Sequence, residues 1–359
     1  MQPVREIFPG LPHVESPLFH QILEELGLTQ DERRVASALH ERGFAVIDFP
    51  DEQLHDRIDR IKANLSPKYD IDLSDSESDK TCGASLRVQD AWKFDEDVRA
   101  IAANGHVLDL LSKLYGRRAF PFQTLNFPVG TQQHLHSDAI HFSSIPERFM
   151  CGVWLAMEDV HPDAGPLTYL PGSHQWSILS NAMIGRRGFG DQSPFAQAPF
   201  ESAWMALVEN SGIEQELFLP KKGQALIWAA NLLHGGSVQN DPRRTRWSQV
   251  THYYFENCTY FTPAFSDEAF GELDLRRIVD VATNEVRPNL YLGEPVCQLE
   301  RRQSLAEKFK SRMGRAELPS DFDAETYYKL NPDVAAEGVD AVAHYRKHGR
   351  NERRRYKIG

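Results

Sequence analysis

Between Phe120 and Phe261 the chain is a succession of short β-prone runs broken at Gly, Pro and Asp, and this spacing constrains the fold more than any other feature. Phe122 to Phe127, Cys151 to Met157, Pro166 to Leu170, Gln224 to Trp228 and Trp247 to Phe255 are rich in aromatic and β-branched residues. Runs this short, recurring at near-regular intervals, bury their apolar sides by pairing into facing sheets, which predicts a barrel or jelly roll. The long interval Gln175 to Phe218 interrupts the series. Its stretch Glu201 to Asn210 reads as helical, and the interval is open between a lid over a substrate and a surface excursion.

Before the β-rich region the periodicity is helical. Leu18, Ile22, Leu26, Val35 and Leu39 predict two short helices broken near Gly27 to Gln30, followed by a buried strand at Phe44 to Ile47. A helix is expected over Gln53 to Leu65, a polar loop over Ser74 to Thr81, and a helical stripe from Phe94 to Tyr115. After Phe261 come a mixed segment, a charged helical run from Leu299 to Met313, and a short linker over Gly314 to Pro319. This predicts one large domain over 1–313, with its core at about 43–262, and a small helical segment over 320–359.

The β-rich region contains Gln132-Gln133-His134-Leu135-His136-Ser137-Asp138-Ala139-Ile140-His141, whose last eight residues carry three imidazoles and one carboxylate. In an extended segment, residues two apart share a face, so His136 and Asp138 can meet at one point. With a second imidazole from elsewhere they make the two-His-one-carboxylate set that leaves positions open on a non-haem Fe(II). A polar strand end with solvated side chains would read the same way, and a register change of two would substitute His134 for His136. The stretch alone leaves these readings open.

Other parts of the region supply partners. His234 follows the buried run Ala225 to Ala229 and precedes a Gly turn, Gly235-Gly236, that leaves it facing a cavity. Further on, Arg246, Ser248 and Val250 alternate onto one face. A guanidinium pointing into a barrel needs an anion, because an unpaired buried charge is costly, and its planar fork suits a carboxylate. Arg243 and Arg244 read as a solvated basic turn. A net charge of −11 argues against a nucleic-acid scaffold. Scattered Cys82, Cys151, Cys258 and Cys297, with no Cys-x-x-Cys pair, fit neither a disulfide framework nor a zinc–thiolate site. With no secretory signal and no apolar stretch of spanning length, the expected location is the cytoplasm.

Taken in order, Gln123 to Pro128, His136-Ser137-Asp138, Val153 to Asp159, Ala164 to His174 and His234-Gly235-Gly236-Ser237 resemble the phytanoyl-CoA dioxygenase-like family over about Gly43 to Phe255. The resemblance implies a mainly β fold with flanking helices, built on a double-stranded β-helix of the jelly-roll, cupin-like kind. It implies Fe(II), 2-oxoglutarate as cosubstrate and O2. By the same resemblance His136, Asp138 and His234 ligate iron, and Arg246 with Ser248 holds the distal carboxylate of 2-oxoglutarate. Gln123 falls at a cosubstrate contact and Trp154 at a pocket wall.

The implied reaction hydroxylates a C–H bond of a small-molecule or sugar-containing substrate and releases succinate and CO2. Related halogenases carry a small residue in place of the carboxylate, so Asp138 argues against halogenation. A non-catalytic binding protein on the same fold is the alternative from another class. His141 is a pocket or supporting residue, His174 a structural turn residue, His161 a loop residue and His252 an ordinary strand residue. Phe189, Phe195 and Trp204, with Arg186 and Arg187, would suit an apolar body bearing an anionic group. Phe322 to Val334 and Gly338 to Glu352 resemble a short helical module appended to bacterial surface- and glycan-associated proteins. Asn331-Pro332-Asp333 would end one of its helices, Asp340 would cap another, and Tyr327, Val334, Val342 and Tyr345 would pack together. The basic end of this module, Arg346 to Lys357, is open between an acidic protein partner and simple solvation, the commoner outcome for such a run.

Overall fold

The structure is a computed structural model and describes the chain except residues 1, 70, 74, 76, 81–86, 192–195, 297–317, 320, 337–338, 350–353 and 358–359. The predicted run Leu299 to Met313, most of the linker Gly314 to Pro319, part of the loop Ser74 to Thr81, and Cys82, Phe195 and Cys297 lie outside the described residues.

Helix α1 spans Phe19–Glu25 and α2 spans Gln30–Arg42, where Thr29 and Glu32 form a reciprocal capping box. Gly43 ends α2 at φ 80°, and its missing Cβ matters, since one would lie 2.5 Å from His174 Nδ1. The chain turns directly into β1 (Phe44–Asp48), then α3 (Leu54–Leu65) and β2 (Val88–Gln89). The stripe predicted over Phe94 to Tyr115 is two helices, α4 (Glu96–Ala102) and α5 (Gly105–Tyr115). Asp95 caps the first and Asn104 caps the second, so each competes with continuous helix for backbone N–H groups.

Short strands follow: β3 (Ala119–Phe127), β4 (Ser143–Ile145), β5 (Met150–Ala156) and β6 (Leu167–Tyr169). Helix α6 (Ala198–Ser211) precedes β7 (Glu216–Phe218), β8 (Gln224–Ala229), β9 (His234–Gly236), β10 (Ser248–Phe255) and β11 (Thr259–Phe261). An antiparallel major sheet runs β1-β8-β5-β10-β3-β2, and a minor sheet runs β7-β6-β9.

The major sheet is buried on both faces, and strand alternation assigns each residue to one of them. Val153, Leu155, Ala225, Ile227 and Tyr253 pack with the helical layer in one apolar cluster. Gln249 and Tyr253 fasten that face by donating to the carbonyls of Val98 and Ala102 on α4, at 3.1 and 2.9 Å. Trp154, Leu226, Trp228 and Val250 point the other way and pack with Leu167, Tyr169 and Phe218 of the minor sheet. Rings cross the gap, Phe44 to Tyr169 at 4.2 Å and Trp154 to Phe218 at 5.7 Å. The result is a double-stranded β-helix with helices against one outer face.

Contacts divide the chain into Met1–Gln298 and Leu299–Gly359. In the second unit Asp323 caps Ala324–Leu330 and Asp340 caps Ala341–His344. Its core is Tyr327, Val334, Ala341 and Tyr345, so Ala341 takes the place expected for Val342. No described helix is long and apolar enough to cross a membrane.

Candidate metal centre and cosubstrate pocket

His136 does not reach the site from a regular strand. It makes an isolated antiparallel bridge with His234, closed by backbone hydrogen bonds of 2.9 and 3.0 Å, and Asp138 then opens a single 3-10 turn capped by Ser137. Gly235 and Gly236 permit this approach. A Cβ on Gly235 would lie 2.6 Å from the Gln133 carbonyl oxygen, and one on Gly236 2.8 Å from Gln132 N. Ligand atoms of His136, Asp138 and His234 all lie within 4.8 Å of one another, and all three residues are buried.

The two imidazoles are set up alike. Nδ1 of His136 donates to His134 O and Nδ1 of His234 donates to Leu232 O, each at 2.9 Å. A carbonyl only accepts, so the proton sits on Nδ1 and the Nε2 lone pair is left to coordinate. Both Nε2 atoms stand 3.7 Å from the Asp138 carboxylate, one from each oxygen. Burial, helped by His234, pushes the His136 pKa down to about 3, so the ring is neutral. Burial works against the Asp138 charge, but His234, His252 and His136 with the Trp228 N–H outweigh it and hold the carboxyl at about 2. Two imidazoles with Nε2 turned inward and one ionised carboxylate, converging and buried, fit a divalent iron. His134, the alternative by register, is exposed.

Two residues at this centre escape the reading of the sequence. Trp228 Nε1 donates to Asp138 Oδ2 at 2.9 Å. His252 Nε2 lies 3.7 Å from the same oxygen, and its Nδ1 donates to Gln123 Oε1 at 3.0 Å. His252 is therefore not an ordinary strand residue. The alternation of Arg246, Ser248 and Val250 continues to it, and that was the available signal. Trp228 has none, because its reach depends on Gly152 of the neighbouring strand, where a Cβ would lie 2.1 Å from Trp228 Cζ2.

The centre opens into a cavity of about 800 Å³, whose lining includes Gln123, Gln133, His141, Trp154, Arg246 and His252. Arg246 is 1% exposed, lies over the Trp154 ring at 5.5 Å, and donates from Nη1 to Gly165 O at 2.8 Å. Two positions along, Ser248 Oγ is fully buried with no hydrogen-bond partner among the described residues. A buried guanidinium beside an unsatisfied hydroxyl is chemistry suited to a carboxylate. Burial lowers the His141 pKa.

The other expectations divide. Arg243 and Arg244 form surface pairs with Asp241. His174 Nε2 bonds His40 O at 3.1 Å, and His161 caps the turn Pro162–Ala164. Phe200 and Trp204 pack under α6 with Ile140, Leu170 and Leu233. Arg186 pairs with Asp191, and Arg187 with Asp267 and Glu272, so these guanidiniums are taken by carboxylates. From the Gln175 to Phe218 interval, Asp191 and Ala196 line the cavity together with Gln197, Ala198 and Glu201 at the start of α6.

The family model for phytanoyl-CoA dioxygenase matches residues 28–245, more than half the chain. The chain belongs to that family. This phytanoyl-CoA dioxygenase family member is a 2-oxoglutarate-dependent non-haem iron oxygenase, with Fe(II) as cofactor and 2-oxoglutarate as cosubstrate. Among solved structures, the non-haem α-ketoglutarate-dependent carbocyclase SnoK from nogalamycin biosynthesis is 14% identical and has a TM-score of 0.51, covering 76% of this chain and 95% of that one. The epimerase SnoN, in complex with Fe3+, α-ketoglutarate and nogalamycin RO, is 17% identical over 75% of this chain and 96% of that one, TM-score 0.48. EctD from S. alaskensis, with 2-oxoglutarate and 5-hydroxyectoine, is 17% identical over 67% and 80%, TM-score 0.47. At these identities the likeness to SnoK is one of fold. No curated protein matches the chain.

Proposed function

We propose that this oxygenase hydroxylates a C–H bond of a small, polar, sugar-like substrate, with His136, Asp138 and His234 as the iron ligands. The convergence of these three buried residues, with both Nε2 atoms turned inward, carries the reading. When bound, Fe(II) with 2-oxoglutarate supplies an oxidant made from O2, at the expense of decarboxylating 2-oxoglutarate to succinate and CO2. In this reading Arg246 and Ser248 hold the distal carboxylate of the cosubstrate, and Trp154 braces the guanidinium from its face. Trp228 keeps Asp138 oriented. Gln123 keeps the His252 ring in place against that carboxylate.

Gln89, Gln133, Gln197 and Glu201 line the cavity, which supports a hydroxylated substrate over a purely apolar one. SnoK, which shares this fold, is described as a carbocyclase, so the fold admits outcomes other than hydroxylation. The carboxylate at Asp138 speaks against halogenation.

Purified protein with Fe(II) is expected to consume 2-oxoglutarate slowly without substrate, and His136→Ala or Asp138→Ala to abolish this. Anaerobic titration should develop the weak visible absorption of an Fe(II)–2-oxoglutarate chelate. A colourless titration and wild-type turnover no greater than that of the variants would instead mark a binding protein on this fold.

A further inference from the structure

A second cavity, of about 510 Å³, meets the metal cavity at Gln89 and Gln123, which line both. Lys93, Arg99, Arg276 and Arg277 face it, among the described residues, against one carboxylate, Asp90, in a chain whose net charge is −11. Lys93 is paired with Asp90 at 3.2 Å. Arg99 lies over the Trp92 ring at 5.2 Å, and its Nε is buried with no hydrogen-bond partner among the described residues. Arg276 lies over Phe142 at 4.8 Å and, among the described residues, donates to neutral groups, His141 O at 3.4 Å and Thr262 Oγ1 at 3.2 Å. Its Nε is likewise buried and unsatisfied. Arg277 is exposed at the rim.

A guanidinium does not discharge by losing its proton, so three of them in one cavity, with no carboxylate paired to them among the described residues, repel one another and lose hydration. The aromatic faces of Trp92 and Phe142 fix the planes of two of these groups, which leaves the N–H edges for a ligand. A tetrahedral or planar oxyanion satisfies all of these conditions at once. We propose that this cavity binds a phosphate or other oxyanion carried by the substrate, at an end remote from the carbon that is oxidised. The inference rests on the oxygenase reading in one respect: the rest of that substrate passes Gln89 and Gln123 to the metal cavity.

The test begins with calorimetric titration of the metal-free full chain with inorganic phosphate and with a hexose 1-phosphate. Wild type and Arg246→Met should bind both, and Arg99→Met and Arg277→Met should bind at least about tenfold more weakly. Arg277 is exposed, so its variant tests the site even if Arg99→Met fails to fold. Loss in Arg246→Met with full binding in the other two would place the anion in the cosubstrate pocket and overturn the proposal, as would no binding by wild type. The second arm adds Fe(II) and 2-oxoglutarate without O2. A substrate handle predicts that the hexose phosphate alters the chelate absorption while inorganic phosphate only competes with it. A hexose phosphate that binds no better than inorganic phosphate and leaves the absorption unaltered assigns a free-anion site and overturns the substrate assignment. If no chelate forms, the oxygenase reading fails while the metal-free binding result stands by itself.

Discussion

Replacing Trp228 by Phe keeps an aromatic ring in the core and deletes one N–H. In wild type that group donates to Asp138 Oδ2 at 2.9 Å, buried from solvent. A hydrogen bond to a buried charge contributes about 1.5–3 kcal/mol net. At about 1.4 kcal/mol per factor of ten, its loss should weaken Fe(II) binding about 10- to 100-fold, the range typical for partners that orient a metal ligand. The assay is anaerobic Fe(II) titration at saturating 2-oxoglutarate, read by chelate absorption, with circular dichroism to confirm the fold. Gly152→Ala attacks the same bond differently. Its Cβ would lie 2.1 Å from Trp228 Cζ2, so the indole must move although its N–H remains. In the Trp228→Phe background the bond is already gone and the ring is shorter, so Gly152→Ala should cost much less than in wild type. Two losses that simply add, or Trp228→Phe with wild-type affinity, would refute the role given to this bond.

Three further outcomes follow from the same geometry. Arg246→Met should raise the Kd for 2-oxoglutarate about 100-fold or more, and Arg246→Lys should recover only part of it because an ammonium cannot offer the fork; titration of the chelate band measures both. Gly43→Ala should lower unfolding free energy by about 1–3 kcal/mol in urea, because φ is 80° and the new Cβ meets the His174 ring; His174→Ala should relieve only the steric part. Hydrogen bonding from Arg60, then Arg57, holds the Asp97 carboxyl below the usual range despite opposing burial. Its contribution is complete above the unfolded carboxylate pKa of about 3.9 and is lost as pH falls through the lower folded value. Asp97→Asn should therefore flatten the acid limb of stability against pH, measured as urea midpoints, and an unchanged limb would refute the assignment.

Much of the fold was legible locally. The strands near Phe44, Phe122, Cys151, Gln224 and Trp247 follow from short apolar runs between turn residues, because a strand buried on both faces reads as a nearly continuous apolar run. The helices around Ile22, Leu39 and Ile58 show their own period in the same way. What periodicity misses is local competition, as at Asp95 and Asn104, whose side chains end one helix and begin the next.

The candidate site divides along the same line. His136, Asp138, His234 and Arg246 could be named from sequence because each sits in a motif with its own spacing. Their convergence could not be read there. It depends on an isolated bridge beside Gly235 and Gly236, on a 3-10 turn at Asp138, and on two strands that bring Trp228 and His252 to one carboxylate oxygen. Arg99 and Arg276 show it most clearly. They are far apart in the chain and unremarkable in composition, and only the packing of α4 beside the β3 edge and the segment after β11 makes one cavity of them. The residue types and their periods were determined by the sequence. Which charges share a space was decided by the tertiary structure, since electrostatic cost depends on separation and burial, and neither is a property of neighbours in sequence.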